Sequence, residues 1–294
     1  MRSVRVTVLG SAQDGGFPQP GCQKKCCNVE PSMELQRFPV ALGIMGLDGT
    51  FHLIEASRMM ERQFRILQEI LGKYPPVPTS ISLTHTHLGH IDGLGLLGKE
   101  VMGAEGVIVH CSESVARLIR ITPAYQELIN QDAIVVQVWN QSESFEPSPN
   151  CGFSIRPIPV PHRSELSDNH ALIIESPGCN LLFMPDHDSW LDTLKSRTIR
   201  EWLSELNIDI ALIDGTFWDS NELPNRDMKN IPHPTILDSL ERLGQRQNSD
   251  PEILFFHLNH TNPLCNPNSR ESKELQLLGW GIAKEGDSFT LEQL

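Results

Sequence analysis

The sequence predicts an α/β fold, because strand-like and helix-like segments alternate along its 294 residues. Short runs rich in Val, Ile, Leu and Phe indicate the strands, and apolar residues three and four positions apart indicate the helices. A chain of this length buries a substantial core, and no linker interrupts the alternation. We therefore predict one domain covering residues 1–294.

The predicted elements follow one another with few long gaps. Strands are predicted at Val4–Leu9, Val40–Met45, Thr50–Ile54, Ser80–Leu83, Gly106–His110, Ala133–Val138, Phe153–Val160, Ala171–Glu175, Leu181–Met184, Ile208–Ile213 and Ile253–Phe256. Helices are predicted at Arg58–Leu71, Glu113–Ile119, Trp190–Leu206 and Thr235–Leu243. Pro177 and Gly178 lie between two strands and predict a hairpin, so part of the sheet is expected to be antiparallel.

The charge balance excludes several classes of partner. The formal net charge is -13 and Lys and Arg together number 24, so we expect neither a nucleic-acid partner nor binding to an anionic membrane. The apolar stretch at the N-terminus is too short and too alternating for a signal sequence, and no run reaches membrane-spanning length. These features favour a soluble, cytoplasmic protein.

Three histidines fall within one turn after the strand Ser80–Leu83. In the segment Thr84–His90 they occupy positions 85, 87 and 90. On an extended segment, residues two apart project to the same side, so His85 and His87 can face one site, and a helix that begins near Ile91 can bring His90 beside them. Three imidazoles with an open fourth position are typical of a catalytic zinc site.

Further candidate ligands stand where other predicted strands end. His162 follows the strand Phe153–Val160, Asp186 follows Leu181–Met184, and His257 follows Ile253–Phe256. Loops at strand ends are where an α/β scaffold gathers its chemistry. We therefore expect these side chains to join the histidine cluster.

The candidate ligands occur along the chain in the order His85-x-His87-x-x-His90, His162, Asp186 and His257. This order resembles the ligand pattern of the metallo-β-lactamase superfamily. The resemblance extends over nearly the whole chain and implies an αββα four-layer sandwich. Three segments, 10–19, 213–218 and 257–263, resemble one branch of it, the family of pyrroloquinoline quinone biosynthesis protein B.

One departure from the superfamily motif concerns the number of ions. The resemblance implies an aspartate where this chain has Gly89, and that aspartate normally ligates a second metal. Asp186 resembles the bridging carboxylate and would join His85, His87 and His162 around one ion. His90 and His257 would then bind a weaker second ion, contact substrate or transfer protons. Asp92 is an alternative ligand, although at a helix start it more simply complements the dipole.

Other residues are expected to support the centre. Glu55 ends a strand and could accept the outer N–H of a metal-bound imidazole. By resemblance, His233 belongs to the substrate side of the pocket and could act as an acid or contact phosphate or carboxylate. Weaker candidates are His170, His187, Asp188 and Asp214, whereas a structural role is predicted for His52 and His110.

The cysteines predict a separate, structural zinc site. The chain has 7 cysteines, and an odd count in a reducing compartment argues against a disulfide framework. Thiolates at Cys22, Cys26 and Cys27 suit closed Zn²⁺ coordination, which needs a fourth ligand. The resemblance implies His260 for that position. Which of the adjacent Cys26 and Cys27 ligates stays open, and three unmetallated thiols are the alternative.

The leading functional hypothesis is a metal-dependent hydrolase. Zn²⁺ at the histidine cluster, as one or two ions, would present hydroxide to an ester, lactone, amide or phosphodiester of a small-molecule or peptide-derived substrate. Asp186 or His257 would handle the proton, and His233 would steady developing negative charge. Two alternatives remain open: an iron-dependent oxidase or hydroxylase of a quinone-cofactor precursor, and a non-catalytic carrier. Iron or manganese could replace zinc, and a homodimer is one option for assembly.

Overall fold

The computed structural model describes residues 3–28, 36–223 and 231–292. Its first sheet has the strand order β13-β1-β2-β3-β4-β5-β6. These strands are β1 (Arg5–Gly10), β2 (Ala41–Met45), β3 (Phe51–Ile54), β4 (Ser80–Ser82), β5 (Val107–Cys111), β6 (Ile134–Val138) and β13 (Ser288–Thr290). The strands from β3 to β6 run parallel, whereas β13, β1, β2 and β3 pair antiparallel.

The second sheet has the order β12-β11-β10-β9-β8-β7. Its strands are β7 (Ser154–Pro159), β8 (His170–Ser176), β9 (Cys179–Met184), β10 (Ile210–Asp214), β11 (Glu252–Phe256) and β12 (Gly281–Ile282). The strands β9 to β12 are parallel, and β7, β8 and β9 form an antiparallel meander. Ser176 pairs with Cys179 across the Pro177-Gly178 turn, which confirms the predicted hairpin.

Alternating side chains of the two sheets build three buried layers. On β8, Leu172 and Ile174 face a core between the sheets, whereas Ala171 and Ile173 face the helices outside. The first sheet is covered by α1 (Met60–Leu71), α3 (Glu113–Ile121) and α4 (Pro123–Asn130), and the second by α5 (Trp190–Leu194), α6 (Ile199–Glu205), α7 (Ile236–Leu243) and α8 (Arg270–Leu277). The architecture is therefore the predicted αββα sandwich. The short α2 (Leu88–Ile91) and 3₁₀ turns at Asp92–Leu97 and Pro263–Cys265 complete the elements named.

Several elements differ from the prediction. The predicted helix Trp190–Leu206 is two helices, because Lys195 has a φ of 57° and ends α5 before Thr198 caps α6. The helices α4 and α8 and the strands β12 and β13 were not predicted. Only Leu128 of α4 is buried, and β12 and β13 have two and three residues, so these elements lack a clear apolar period.

The parallel strands of both sheets end at one edge of the sandwich. The loops after β4, β9 and β11 open there, and they carry His85, Asp186 and His257. Among the described residues, no helix is long and apolar enough to cross a membrane.

Candidate metal centre

Four predicted ligands from three separate loops converge at this edge. His85 Nε2 lies 3.0 Å from His87 Nδ1, and His162 Nε2 lies 3.2 Å from the same Nδ1. Asp186 Oδ1 is 3.4 Å from His162 Nε2, and its Oδ2 is 4.0 Å from His85 Nε2. The four ligand atoms lie within 4.8 Å of one another.

These separations suit a tetrahedral ion. With Zn–N and Zn–O bonds of about 2.0–2.1 Å, neighbouring ligand atoms of a tetrahedral site lie roughly 3.3–3.4 Å apart. The closest ligand-atom separations of this group, from 3.0 to 3.4 Å, bracket that value. Imidazole and carboxylate donors also match zinc, iron and manganese. The group of His85, His87, His162 and Asp186 therefore fits one metal ion.

His90 and His257 approach the same carboxylate from the other side. Asp186 Oδ2 is 3.2 Å from His90 Nε2 and 3.3 Å from His257 Nε2. All three atoms are buried, and within the described part of the chain none of them makes a hydrogen bond. Buried polar atoms are normally satisfied, so three convergent atoms without a hydrogen bond suit the binding of a cation.

Burial and charge set the protonation of His85, His257 and Asp186 in the direction that metal binding requires. Burial lowers the pKa of His85 well below its ordinary value, and it also lowers that of His257, so both imidazoles are neutral. Burial would raise the pKa of Asp186, but His257, His90 and His85 hold it well below its ordinary value. Neutral imidazole and ionised carboxylate are the ligating forms. For His90, burial lowers the pKa, but the carboxylates of Glu55 and Asp186 raise it well above its ordinary value, so an ion bound there would displace a proton.

Glu55 contacts His90 and Thr84 beneath the candidate metal centre. Its Oε1 lies 3.1 Å from His90 Nδ1 and accepts a hydrogen bond of 2.5 Å from Thr84 Oγ1, which is also 2.9 Å from His85 Nδ1. Glu55 and His257 have φ of 68° and 61°, a left-handed conformation that non-glycine residues seldom adopt. The fold therefore stores backbone strain at two of the candidate residues.

The second sheet supplies partners for the remaining histidines. Asp188 Oδ1 is 2.7 Å from His162 Nδ1, and Thr216 Oγ1 is 2.9 Å from His257 Nδ1. Such contacts fix the ring orientation and leave Nε2 to face an ion. Asp214, the last residue of β10, has Oδ2 2.6 Å from Nδ1 of His233.

His233 carries a proton at neutral pH. Its burial lowers the pKa, but the adjacent Asp214 raises it to about 9. One nitrogen of His233 lies within 4.8 Å of ligand atoms of both Asp186 and His257. A charged imidazole therefore borders the centre on the side predicted to bind substrate.

An open cleft of about 480 Å³ leads to the centre. His87, Asp186 and His233 line it, together with Thr216, Phe217 and Asn259. Three cationic side chains also line it, Lys24, Arg58 and Arg163. The same cleft is lined by two carboxylates, Asp14 and Asp186, so the three cations and the protonated His233 leave a local excess of positive charge in a chain with a net charge of -13. This excess favours an anionic ligand.

The cysteine loop forms the second predicted cluster. Cys26 Sγ lies 3.5 Å and Cys27 Sγ 3.3 Å from His260 Nδ1, and Cys22 Sγ lies 3.9 Å from Cys26 Sγ. A tetrahedral zinc ion with three thiolates and one imidazole has S···S edges of roughly 3.8 Å and S···N edges of roughly 3.6 Å. The structure thus brings both adjacent cysteines to His260, and the four residues fit one Zn²⁺ ion.

Several weaker candidates lie outside the ligand groups. Asp92 pairs with Arg58 at 2.8 Å, and His187 hydrogen-bonds Thr193. His52 hydrogen-bonds Ser80, and His110 contacts the carbonyl of Pro147. His170 is buried next to Trp139.

Asp14 is a candidate ligand that was not predicted from the sequence. This residue lies in the loop after β1, and its Oδ1 is 3.4 Å from His90 Nε2. Asp14, His90 and His257 form a further group of ligand atoms within 4.8 Å. In the sequence, Asp14 is marked only by its place in the segment 10–19, which carries part of the family resemblance.

The fold and the clustered histidines define a protein with the metallo-β-lactamase fold and residues suited to a metal cofactor. A family model described as a Beta-lactamase superfamily domain matches residues 53–258, more than half of the chain. The chain belongs to this superfamily, as the sequence predicted.

Relatives and solved structures agree with the predicted branch. The chain is similar to coenzyme PQQ synthesis protein B of Methylobacterium radiotolerans, with 23% identity over 98% of this chain and 100% of the relative. A crystal structure of Zn(2+)-bound PqqB from Methylobacterium extorquens superposes with a TM-score of 0.78 at 20% identity, covering 98% of this chain and 100% of that one. A diphosphatase from the PhnP family superposes with a TM-score of 0.66 at 21% identity, covering 97% and 96%.

Proposed function

We propose that this protein is a metal-dependent hydrolase of an anionic small-molecule or peptide-derived substrate, with a phosphodiester as the preferred linkage. The observation that carries the proposal is the meeting of His85, His87, His162 and Asp186 at an open cleft with cationic walls. A zinc ion held there would lower the pKa of water and polarise a phosphoryl or carbonyl oxygen.

The chain's own residues would bind and orient the substrate. Lys24, Arg58 and Arg163 line the cleft and would attract its negative charge. Arg58 also contacts Asp92 at 2.8 Å, which holds the guanidinium at the mouth. The same cations favour a phosphodiester over a neutral lactone or amide.

Proton donation is assigned to one residue. His233 is held at Nδ1 by Asp214 and keeps a proton at neutral pH, so its Nε2 would donate to the leaving oxygen. Asp186 stays ionised and would orient the attacking water by accepting a hydrogen bond from it. His257, with its Nδ1 at Thr216, would orient the carboxylate.

Support for this proposal also comes from the relatives. One structural neighbour is a diphosphatase, and another is a Zn(2+)-bound PqqB. Both neighbours share the fold of this chain at less than 25% sequence identity to it. The linkage preference therefore rests on the cleft of this chain.

The test is hydrolysis of a panel of phosphodiesters, carboxylic esters, lactones and amides by the purified protein and by two variants. We expect phosphodiester turnover that His85→Ala abolishes and His52→Gln retains, because His52 is buried away from the cleft. Unchanged hydrolysis and metal content in His85→Ala would refute the proposal. Bound iron with O₂ uptake and no hydrolysis would favour the oxidase instead.

A further inference from the structure

Gly89 occupies the position at which a side-chain ligand for a second ion was expected. Glycine has no donor of its own, so the sequence alone predicts a weak second site. The structure shows that the space beside Gly89 is filled by another residue. A Cβ built on Gly89 would lie 2.3 Å from Oδ1, 2.5 Å from Cγ and 2.7 Å from the backbone Cα of Asp14. A side chain at 89 and the carboxylate of Asp14 therefore exclude each other.

Asp14 is held in this place by the loop that carries it. Gln13 N donates to Leu258 O at 3.0 Å, and Leu258 N donates to Ser11 O at 3.0 Å. Leu258 follows His257 directly, so these bonds fix the distance between the loop and that histidine. Asp14 is thus positioned by the backbone that positions one of the candidate ligands.

The surroundings of Asp14 indicate a cation. Its Oδ1 is 3.4 Å from His90 Nε2, and His257 completes a group within 4.8 Å. The Nε2 atoms of His90 and His257 and Oδ2 of Asp186 are buried without a hydrogen bond. His90 and His257 are 0% and 1% exposed, so bulk water does not reach their ring nitrogens to form hydrogen bonds.

We propose that Asp14 replaces the carboxylate that Gly89 lacks, and that Asp14, His90 and His257, with Asp186 shared, bind a second metal ion next to the first. Two imidazoles and two carboxylates suit Zn²⁺, Mn²⁺ or Fe²⁺. The inference rests on the same metal centre as the proposed function, but it concerns metal binding and not turnover. It also makes the centre a two-ion site, which suits displacement at a phosphodiester.

The experiment measures metal bound per chain for the whole protein and its variants, titrated with Zn²⁺ and analysed by elemental composition after removal of free ions. We expect Asp14→Asn to lose one equivalent, or to bind the second ion at least ~10-fold more weakly, since losing even outer partners of ligands costs about 10- to 100-fold. Asp92→Asn is the matched control, because it removes a nearby carboxylate that pairs with Arg58.

A rescue variant separates ligation from a structural role. Asp14→Glu keeps a carboxylate on the same backbone, and we expect it to retain the second equivalent that Asp14→Asn loses. Gly89→Ala should displace Asp14 and lose that equivalent while the fold, followed by circular dichroism, is kept. Full stoichiometry and affinity in both Asp14→Asn and Gly89→Ala would overturn the proposal.

The outcome is independent of activity. If the native protein hydrolyses nothing and Asp14→Asn still loses one ion, the proposed function fails and the second site stands. If the native protein hydrolyses a phosphodiester and Asp14→Asn keeps both ions, the function stands and the role of Asp14 is refuted.

Discussion

Glu55 Oε1 lies 3.1 Å from Nδ1 of His90, and both side chains are fully buried. The carboxylate thereby orients the ring so that Nε2 faces Asp186, 3.2 Å away. Burial raises the pKa of Glu55, and the charge of His90 opposes that rise. The pair therefore links the strand end of β3 to the metal centre.

Replacing Glu55 should weaken metal binding without removing a ligand. We expect Glu55→Gln to lower the affinity for Zn²⁺ by about 10- to 100-fold, because an amide orients and polarises the imidazole less well than a carboxylate. Competition with a chromophoric chelator measures the change, and Glu61→Gln, at an exposed carboxylate that pairs with Arg65 on α1, is the control. A Zn²⁺ affinity equal to that of the native protein would show that the contact between Glu55 and His90 does not contribute to metal binding.

The cysteine site should stabilise the fold independently of the active centre. Cys27→Ser removes a thiolate 3.3 Å from His260 Nδ1. We expect loss of one zinc and a lower Tm, because a structural zinc ion contributes directly to folding free energy. The metal of the histidine cluster should stay bound.

Cys179→Ser is the matched control for that change, because Cys179 is a half-buried free cysteine in β9, away from the cluster. Elemental analysis and thermal unfolding of both variants measure the effect. Equal zinc content and equal Tm in Cys27→Ser would contradict a zinc ion at this site.

Acid should destabilise the protein through two buried histidines. Burial lowers the pKa of His52 and of His110 to about 4, whereas an unfolded histidine titrates near about 6.5. Their contribution to stability is therefore complete above pH 6.5 and is lost as the pH falls through 4, because the unfolded chain then binds more protons.

The His52→Gln variant tests this contribution. Its free energy of unfolding should fall less steeply between pH 6.5 and 4, by up to about 1.4 kcal/mol per pH unit. Denaturant unfolding of both proteins at each pH gives the difference, in which any loss of metal common to both cancels. Parallel curves would refute a neutral buried His52.

Thr198 begins α6 with a capping box. Its Oγ1 accepts from Glu201 N at 3.2 Å, and Thr198 N donates to Glu201 Oε2 at 2.7 Å. Thr198→Ala should lower the free energy of unfolding by about 1 kcal/mol. Ser249→Ala is the comparison, since Ser249 is an exposed residue in the turn before β11. A cost no larger than that of Ser249→Ala would contradict the prediction.

The sequence predicted the elements whose side chains follow a clear period. The strand ends at Asp186 and His257 could be predicted because each follows a buried apolar run, and the strand end at His162 because β7 alternates buried and less buried residues. Their meeting with His85 was predicted from their positions at strand ends, and the family resemblance supplied which of them ligate the same ion.

Features that depend on contacts between residues far apart in the chain could not be predicted from the sequence. Asp14 precedes His90 by many residues and shows its role only because the loop after β1 is bonded to Leu258. The break at Lys195 has no glycine or proline to mark it. The helix α8 is polar along most of its length and buries only Ser272 and Leu275.

Anomalous diffraction from crystals of the native protein, recorded at the absorption edge of the metal found by elemental analysis, tests the central claim most directly. We predict a strong peak within bonding distance of His85 Nε2, His87 Nδ1, His162 Nε2 and a carboxylate oxygen of Asp186. Full metal content with no anomalous peak among these four residues would contradict the account.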